Sequence, residues 1–148
     1  MQNGSYQNQI EIRSPKKKYY LSNEIFTILD DIIPILDWTT RNNLYHCDLK
    51  PANILIKLDG RPKIADFGES IRLASDAENS NIKGTPAFYS YRLRSACNVY
   101  KSTGRVPDFK HDQEKSDVLS LGITLIDMCL LKVVHGINHL DTYLQVQK

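Results

Sequence analysis

The stretch from Ser116 to Leu131 constrains the fold more than any other part of the chain. Val118, Leu121, Leu125, Met128 and Leu131 recur at helical spacing, and Leu119, Ile123, Ile126, Cys129 and Leu130 fill most of the remaining circumference. A helix that is apolar nearly all round belongs at the centre of a larger structure. Asp127 and Lys132 interrupt the run, which is too short and too charged to span a bilayer. The pattern therefore predicts a central buried helix starting at Ser116 or Asp117. A second helical pattern starts at Ser22, read as its N-cap, with Glu24 in the first turn. Ile25, Leu29, Ile32 and Leu36 mark its apolar face, with Phe26 and Ile33 alongside. Pro34 predicts a kink or break, and Arg41-Asn42-Asn43 a turn at the end.

The rest of the chain reads as smaller pieces. Ile54-Leu55-Ile56 and Pro62-Lys63-Ile64-Ala65 flank Asp59-Gly60, a hairpin turn signal. A two-residue turn centred there sets Asn53 opposite Asp66, roughly 5 Å apart as cross-strand neighbours. Residues 69–116 are mostly polar and read as a long irregular segment, with 98–114 a surface insertion. Residues 1–18, rich in Gln, Asn and Lys, read as a disordered polar tail. A further short helix is expected from about Leu140. The expected fold is mainly α with a small β-hairpin.

Composition narrows the function classes. Nineteen Lys and Arg against seventeen Asp and Glu leave +2, too weak a charge to point to nucleic acid or an anionic membrane. The three cysteines are scattered, which suggests neither a disulfide framework nor a cysteine zinc site. His135 and His139 stand four apart without an evident third ligand and read as ordinary surface or core residues rather than a zinc site. With no apolar signal core at the N-terminus, an intracellular, cytoplasmic location is expected.

The chemistry concentrates in two short segments. His46-Cys47-Asp48-Leu49-Lys50-Pro51-Ala52-Asn53 precedes the hairpin, and Asp66-Phe67-Gly68 comes after it. An amide oxygen from Asn53 and a carboxylate from Asp66 at one end of a hairpin make a hard-oxygen site of the kind Mg²⁺ takes when phosphates supply other ligands. Asp48 is close enough in sequence to reach the same place. Singly, each of these residues is as well suited to loop capping.

At these residues the chain resembles the eukaryotic protein kinases. The family's His-Arg-Asp-x-x-x-x-Asn and Asp-Phe-Gly correspond to His46-Cys47-Asp48 with Asn53, and to Asp66-Phe67-Gly68. Lys50 resembles the serine/threonine branch. Gly84-Thr85-Pro86 resembles the stretch that receives the substrate residue, and Asp117-Val118-Leu119-Ser120-Leu121-Gly122 the start of the large helix of the C-terminal lobe. The resemblance implies a kinase-like C-lobe over residues 19–148, truncated at both ends, with the N-lobe absent. It implies Asp48 as catalytic base, Lys50 neutralising charge on the transferred phosphoryl group of ATP, and Asn53 and Asp66 holding Mg²⁺. It also implies Asp117 bracing the catalytic loop through backbone amides, and His46 and Phe67 packing it.

Three departures qualify the resemblance. Cys47 replaces the family's arginine, so phosphorylation at Ser75, Ser80 or Thr85 is not expected to activate through this loop. Ala-Pro-Glu is replaced by Ser90-Tyr91-Arg92, which removes the glutamate that pairs with a late arginine. No Gly-x-Gly-x-x-Gly, strand lysine or helix glutamate for the nucleotide-covering lobe occurs in the 148 residues. The expected activity is that of a serine/threonine protein kinase with a protein substrate, ATP and Mg²⁺, inactive as a fragment alone. The alternative is a non-catalytic binding or scaffold module, with a partner on the face the N-lobe would cover. A third possibility is that the sequence is a piece of a longer one.

Overall fold

A computed structural model of the chain describes residues 3–73 and 80–138. Its helices are α1 (Tyr6–Arg13), α2 (Ser22–Arg41), α3 (Tyr91–Thr103) and α4 (Gln113–Leu130). Its strands are β1 (Leu44–Tyr45), β2 (Ile54–Ile56), β3 (Pro62–Ile64) and β4 (Ile71–Arg72). β2 pairs with β3 and β1 with β4, both antiparallel. The mainly helical character and the hairpin agree with the sequence patterns. The expected helix from about Leu140, and His139, lie outside the described residues.

The N-terminal segment is not an open tail. Ser5 accepts the Asn8 N–H at 3.4 Å while the Asn8 side chain accepts the Ser5 N–H at 2.9 Å, a reciprocal cap that starts α1. Tyr6 and Ile10, four residues apart, are buried in the main core. Asn3 N–H donates to Ile56 and Ile56 N–H to Gly4, so this segment also runs along the outer edge of β2. Two apolar anchors and a sheet edge hold a stretch whose composition alone reads as a tail.

α2 runs through Pro34 without interruption. Pro34 and Asp30 are both exposed, so the carbonyl that proline leaves without its helical donor faces water. Ile28 and Ile32 are buried, and Ile25, Leu29 and Leu36 pack against them, whereas Phe26 and Ile33 are exposed. Ser22 is the first helical residue rather than the cap. Glu24 folds back to accept the Leu21 N–H at 2.7 Å and also binds Arg13 at 2.8 Å.

The hairpin register differs by one residue from the expected one. Gly60 takes φ +83°, Lys57 N–H donates to Arg61 and Gly60 N–H to Lys57, giving a loop of Leu58, Asp59 and Gly60. Ile54 therefore faces Ile64, and Asn53 accepts the Ala65 N–H at 2.9 Å. Asp66 lies one step beyond the pair, in a left-handed conformation at φ 62°.

The segment expected to be irregular contains α3. Ser90 caps it, Leu93, Ala96 and Cys97 form its buried face, and Gly104 ends it at φ +69°. Residues 98–106 are exposed, as the surface insertion requires, but Phe109 returns to pack on Tyr89, Leu93 and Cys97, and His111 is buried. α4 starts at Gln113, earlier than its apolar pattern, because Asp112 caps it through the Lys115 N–H at 3.0 Å. Only one side of α4 is covered by the described residues. Ser116, Asp117, Ser120, Leu121, Ile123, Thr124, Asp127 and Met128 are buried, while Val118, Leu119 and Leu130 remain exposed. The main core joins Ile28 and Ile32 of α2, Leu121 and Met128 of α4, Leu49, the hairpin isoleucines and α1.

Candidate active site

The loop from His46 to Asn53 is fixed from below by α4. Asp117 accepts the His46 N–H at 2.7 Å and the Cys47 N–H at 3.0 Å, one on each carboxylate oxygen, and Gln113 donates to it at 3.3 Å. Burial pushes the Asp117 carboxyl above the usual carboxylate range, and those two amides pull it back. The His46 ring is buried between two main-chain groups. Its Nδ1 accepts from the Asp48 N–H at 3.3 Å, so Nε2 carries the proton and donates to Ala65 at 2.9 Å. The Phe67 ring lies 4.8 Å from it, tying the loop to Asp66-Phe67-Gly68. β1 and β4 tie the entry of the loop to the exit from that motif.

Asp48, 7% exposed, sits at the convergence of these supports. One carboxylate oxygen accepts from Thr85 Oγ1 at 2.6 Å; the other accepts from Lys50 Nζ at 2.7 Å and Asn53 Nδ2 at 3.0 Å. Lys50 Nζ also donates to Thr85 Oγ1 at 2.7 Å, and Asn53 Nδ2 to the Asp48 carbonyl at 2.8 Å. Asp48, Lys50 and Asn53 are thus brought into one cluster. Asp66 is exposed at the hairpin end and takes only a long 3.4 Å contact from Gly68 N–H.

Asn53 and Asp66 are of the residue types that Mg²⁺ accepts as ligands. The Asn53 nitrogen is spent on Asp48, and among the described residues the Asp66 carboxylate accepts only the Gly68 N–H. Both residues offer hard oxygen donors, and Mg²⁺ keeps water and phosphate oxygens for the rest of its shell.

Gly84 sits where no side chain fits. It takes φ +95°, and a Cβ there would lie 2.1 Å from the Cys47 carbonyl oxygen. The Cys47 thiol is buried, 3.6 Å from the Tyr45 carbonyl, and burial beside Asp117 pushes it up to about 12. It carries no positive charge toward residues 80–85.

The protein kinase domain model matches residues 1–146. The chain belongs to the protein kinase family. A serine/threonine-protein kinase of Saccharomyces cerevisiae, TOS3, is 27% identical over 135 residues, covering 84% of this chain and 22% of its own. Serine/threonine-protein kinase 10-A of Xenopus laevis is 32% identical over 127 residues, 84% of this chain and 12% of its own. Serine/threonine-protein kinase hippo of Drosophila melanogaster is 30% identical over 130 residues, 87% of this chain and 18% of its own. The chain spans less than a quarter of the length of these curated relatives.

The kinase motif residues are legible in the sequence because they are contiguous and strictly spaced. Residues that complete the cluster from elsewhere are not. The contact of Thr85 with Asp48 crosses 37 positions, and Gln113 precedes the apolar pattern of α4. Asn138, buried at 5% exposure, carries no local signal at all. No described helix is long and apolar enough to cross a membrane.

Proposed function

We propose that these residues form the catalytic-loop half of a serine/threonine protein kinase, which transfers the γ-phosphoryl group of ATP to a hydroxyl of a protein. Asp48 acts as the base, accepting the proton of the substrate hydroxyl. Lys50 lies within reach of both Asp48 and Thr85, so its ammonium offsets charge developing on the transferred group. Asn53 and Asp66 hold Mg²⁺, which when bound neutralises the phosphates and orients them for in-line transfer. The nucleotide-covering lobe, whose glycine-rich motif does not occur in these 148 residues, is supplied by other sequence.

The observation that carries this reading is the state of Asp48. It is a buried carboxylate aimed by three donors, one of them a cation, rather than a loop cap. Catalysis of this kind depends on positioning and preset charge. The test is phosphoryl transfer from ATP to serine- and threonine-centred peptides by the chain joined to a nucleotide-covering lobe. Asp48→Asn is expected to lower the rate at least about a hundredfold, the scale of a lost general base. A rate unchanged by Asp48→Asn would remove Asp48 from the chemistry.

The second reading, a kinase-like scaffold, is favoured by one observation. Val118, Leu119 and Leu130 of α4 are exposed, as are Phe26, Ile33 and Trp38 of α2, and exposed apolar side chains on a helix suit a protein partner. Transfer activity lost in Asp48→Asn separates the two.

A further inference from the structure

A kinase must anchor the segment that receives its substrate, and the role assigned below to Asn138 rests on the kinase reading of the site. In the family the Ala-Pro-Glu carboxylate ties that segment down, and here its position is taken by Arg92, which is not buried. The segment from Pro86 to Tyr89 is nevertheless held at every carbonyl. Ser120 Oγ donates to Phe88 at 2.8 Å and Arg94 Nη1 to Pro86 at 2.9 Å. Asn138 Nδ2 donates to Pro86 at 2.9 Å, to Tyr89 at 2.8 Å and, more weakly, to Ala87 at 3.4 Å. One buried amide nitrogen, arriving from beyond α4, therefore serves three carbonyl groups of the turn.

Consequences pass directly to the active site. Thr85, which precedes the turn, donates to Asp48 and accepts from Lys50. The turn closes back on Thr85 through the Phe88 N–H at 2.9 Å, and the Tyr89 hydroxyl donates to Gly84 at 2.8 Å. A shift of the turn therefore moves Thr85 against Asp48.

We infer that Asn138 is a positioning residue that latches the substrate-receiving turn Pro86–Tyr89 onto the end of α4, in place of the missing Ala-Pro-Glu glutamate. The choice of residue accords with donor chemistry. Asn offers two N–H bonds from one planar nitrogen; an aspartate of the same size would turn carboxylate oxygens toward three carbonyls, and an apolar residue would leave them without this donor.

The deciding experiment is amide hydrogen exchange on the chain and its Asn138→Ala and Asn138→Asp variants. The Phe88 and Tyr89 amides are expected to exchange about tenfold faster in both variants, while the Leu121–Met128 amides of α4 keep their protection. The aspartate variant, which leaves no cavity, is expected to be at least as fast as the alanine. Unchanged exchange at Phe88 and Tyr89, or an equal rise across α4 as in general destabilisation, would overturn the latch. In the chain joined to a nucleotide-covering lobe, with an equimolar library of serine- and threonine-centred peptides as probe, the peptide KM of Asn138→Ala is expected to rise about tenfold and the ATP KM to stay within twofold. Equal rises in both would refute a role in substrate positioning. Absence of any transfer by the chain joined to a nucleotide-covering lobe would count against the kinase reading instead, and the exchange result would still decide the latch.

Discussion

Asp48 draws its geometry both from its own loop and from residues far along the chain. Lys50 and Asn53 come from its own loop, Thr85 from a segment far along the chain, and the loop itself hangs on Asp117. A neighbouring residue shows how the same burial removes reactivity. The Cys47 thiol is 7% exposed and pushed up to about 12 by burial, so little thiolate is available there at pH 8. Cys97 is buried too, whereas Cys129 is exposed. Maleimide labelling of the folded chain at pH 8, read by peptide mass spectrometry, is expected to modify Cys129 alone. Rapid labelling of Cys47 would mean that the loop opens far more readily than its bonds to Asp117 imply. At this scale the motif residues are legible in the sequence, because the chemistry needs fixed residue types at fixed spacing. Thr85 as a partner of Asp48, and Asn138, are not, because their contacts are tertiary.

At the scale of elements, periodicity reveals α2, α4 and the hairpin, where apolar residues repeat over several turns or alternate beside a turn signal. It does not reveal α1 and α3. Each buries only two or three residues, so most of their length is polar. The hairpin register departs from the expected one because Asp59-Gly60 suits both two- and three-residue loops, and here only Gly60, not Asp59, takes the positive φ that both central residues of a two-residue type I′ turn need. If α1 is part of the core rather than a tail, Ile10→Ala will be costly. Ile10 is 3% exposed, and its truncation is expected to lower unfolding stability by about 2–4 kcal/mol in urea titration. A change under about 0.5 kcal/mol would return the segment to the surface. α4 carries an electrostatic liability in Asp127, which is fully buried, with one oxygen accepting the Val134 N–H at 2.8 Å and the other without a partner among the described residues. Burial raises its carboxyl above the ordinary value, with the Val134 amide and then His135 pulling it partly back. The folded chain thus holds this proton more tightly than the unfolded chain. The stability from it is present in full below the unfolded value and is lost as pH rises through the folded value. Asp127→Asn keeps the acceptor for Val134 and removes the charge. It is expected to raise the melting temperature at pH 7.5 by about 2–4 °C and to flatten its decline as pH rises above the ordinary carboxylate range. A variant that melts lower with the same pH slope would contradict this.

Across the whole molecule, the hydrophobic core and the candidate site are two sides of one arrangement. α2, the hairpin and α4 share the core, and the loop carrying Asp48 is joined to it through Leu49 and to α4 through Asp117. The site's protein-side groups are therefore set by the fold, before any nucleotide is added. If Asn53 and Asp66 hold Mg²⁺ on ATP phosphates, the folded chain binds Mg·ATP and the unfolded chain does not, so saturating Mg·ATP must raise the melting temperature. The most direct measurement is the thermal shift of the chain with Mg·ATP, beside ATP with EDTA and beside Asp66→Ala with Mg·ATP. A rise seen with Mg·ATP alone, absent with EDTA and abolished by Asp66→Ala, is the expected result. Melting that is the same in all three conditions, or a shift that survives Asp66→Ala, would contradict it.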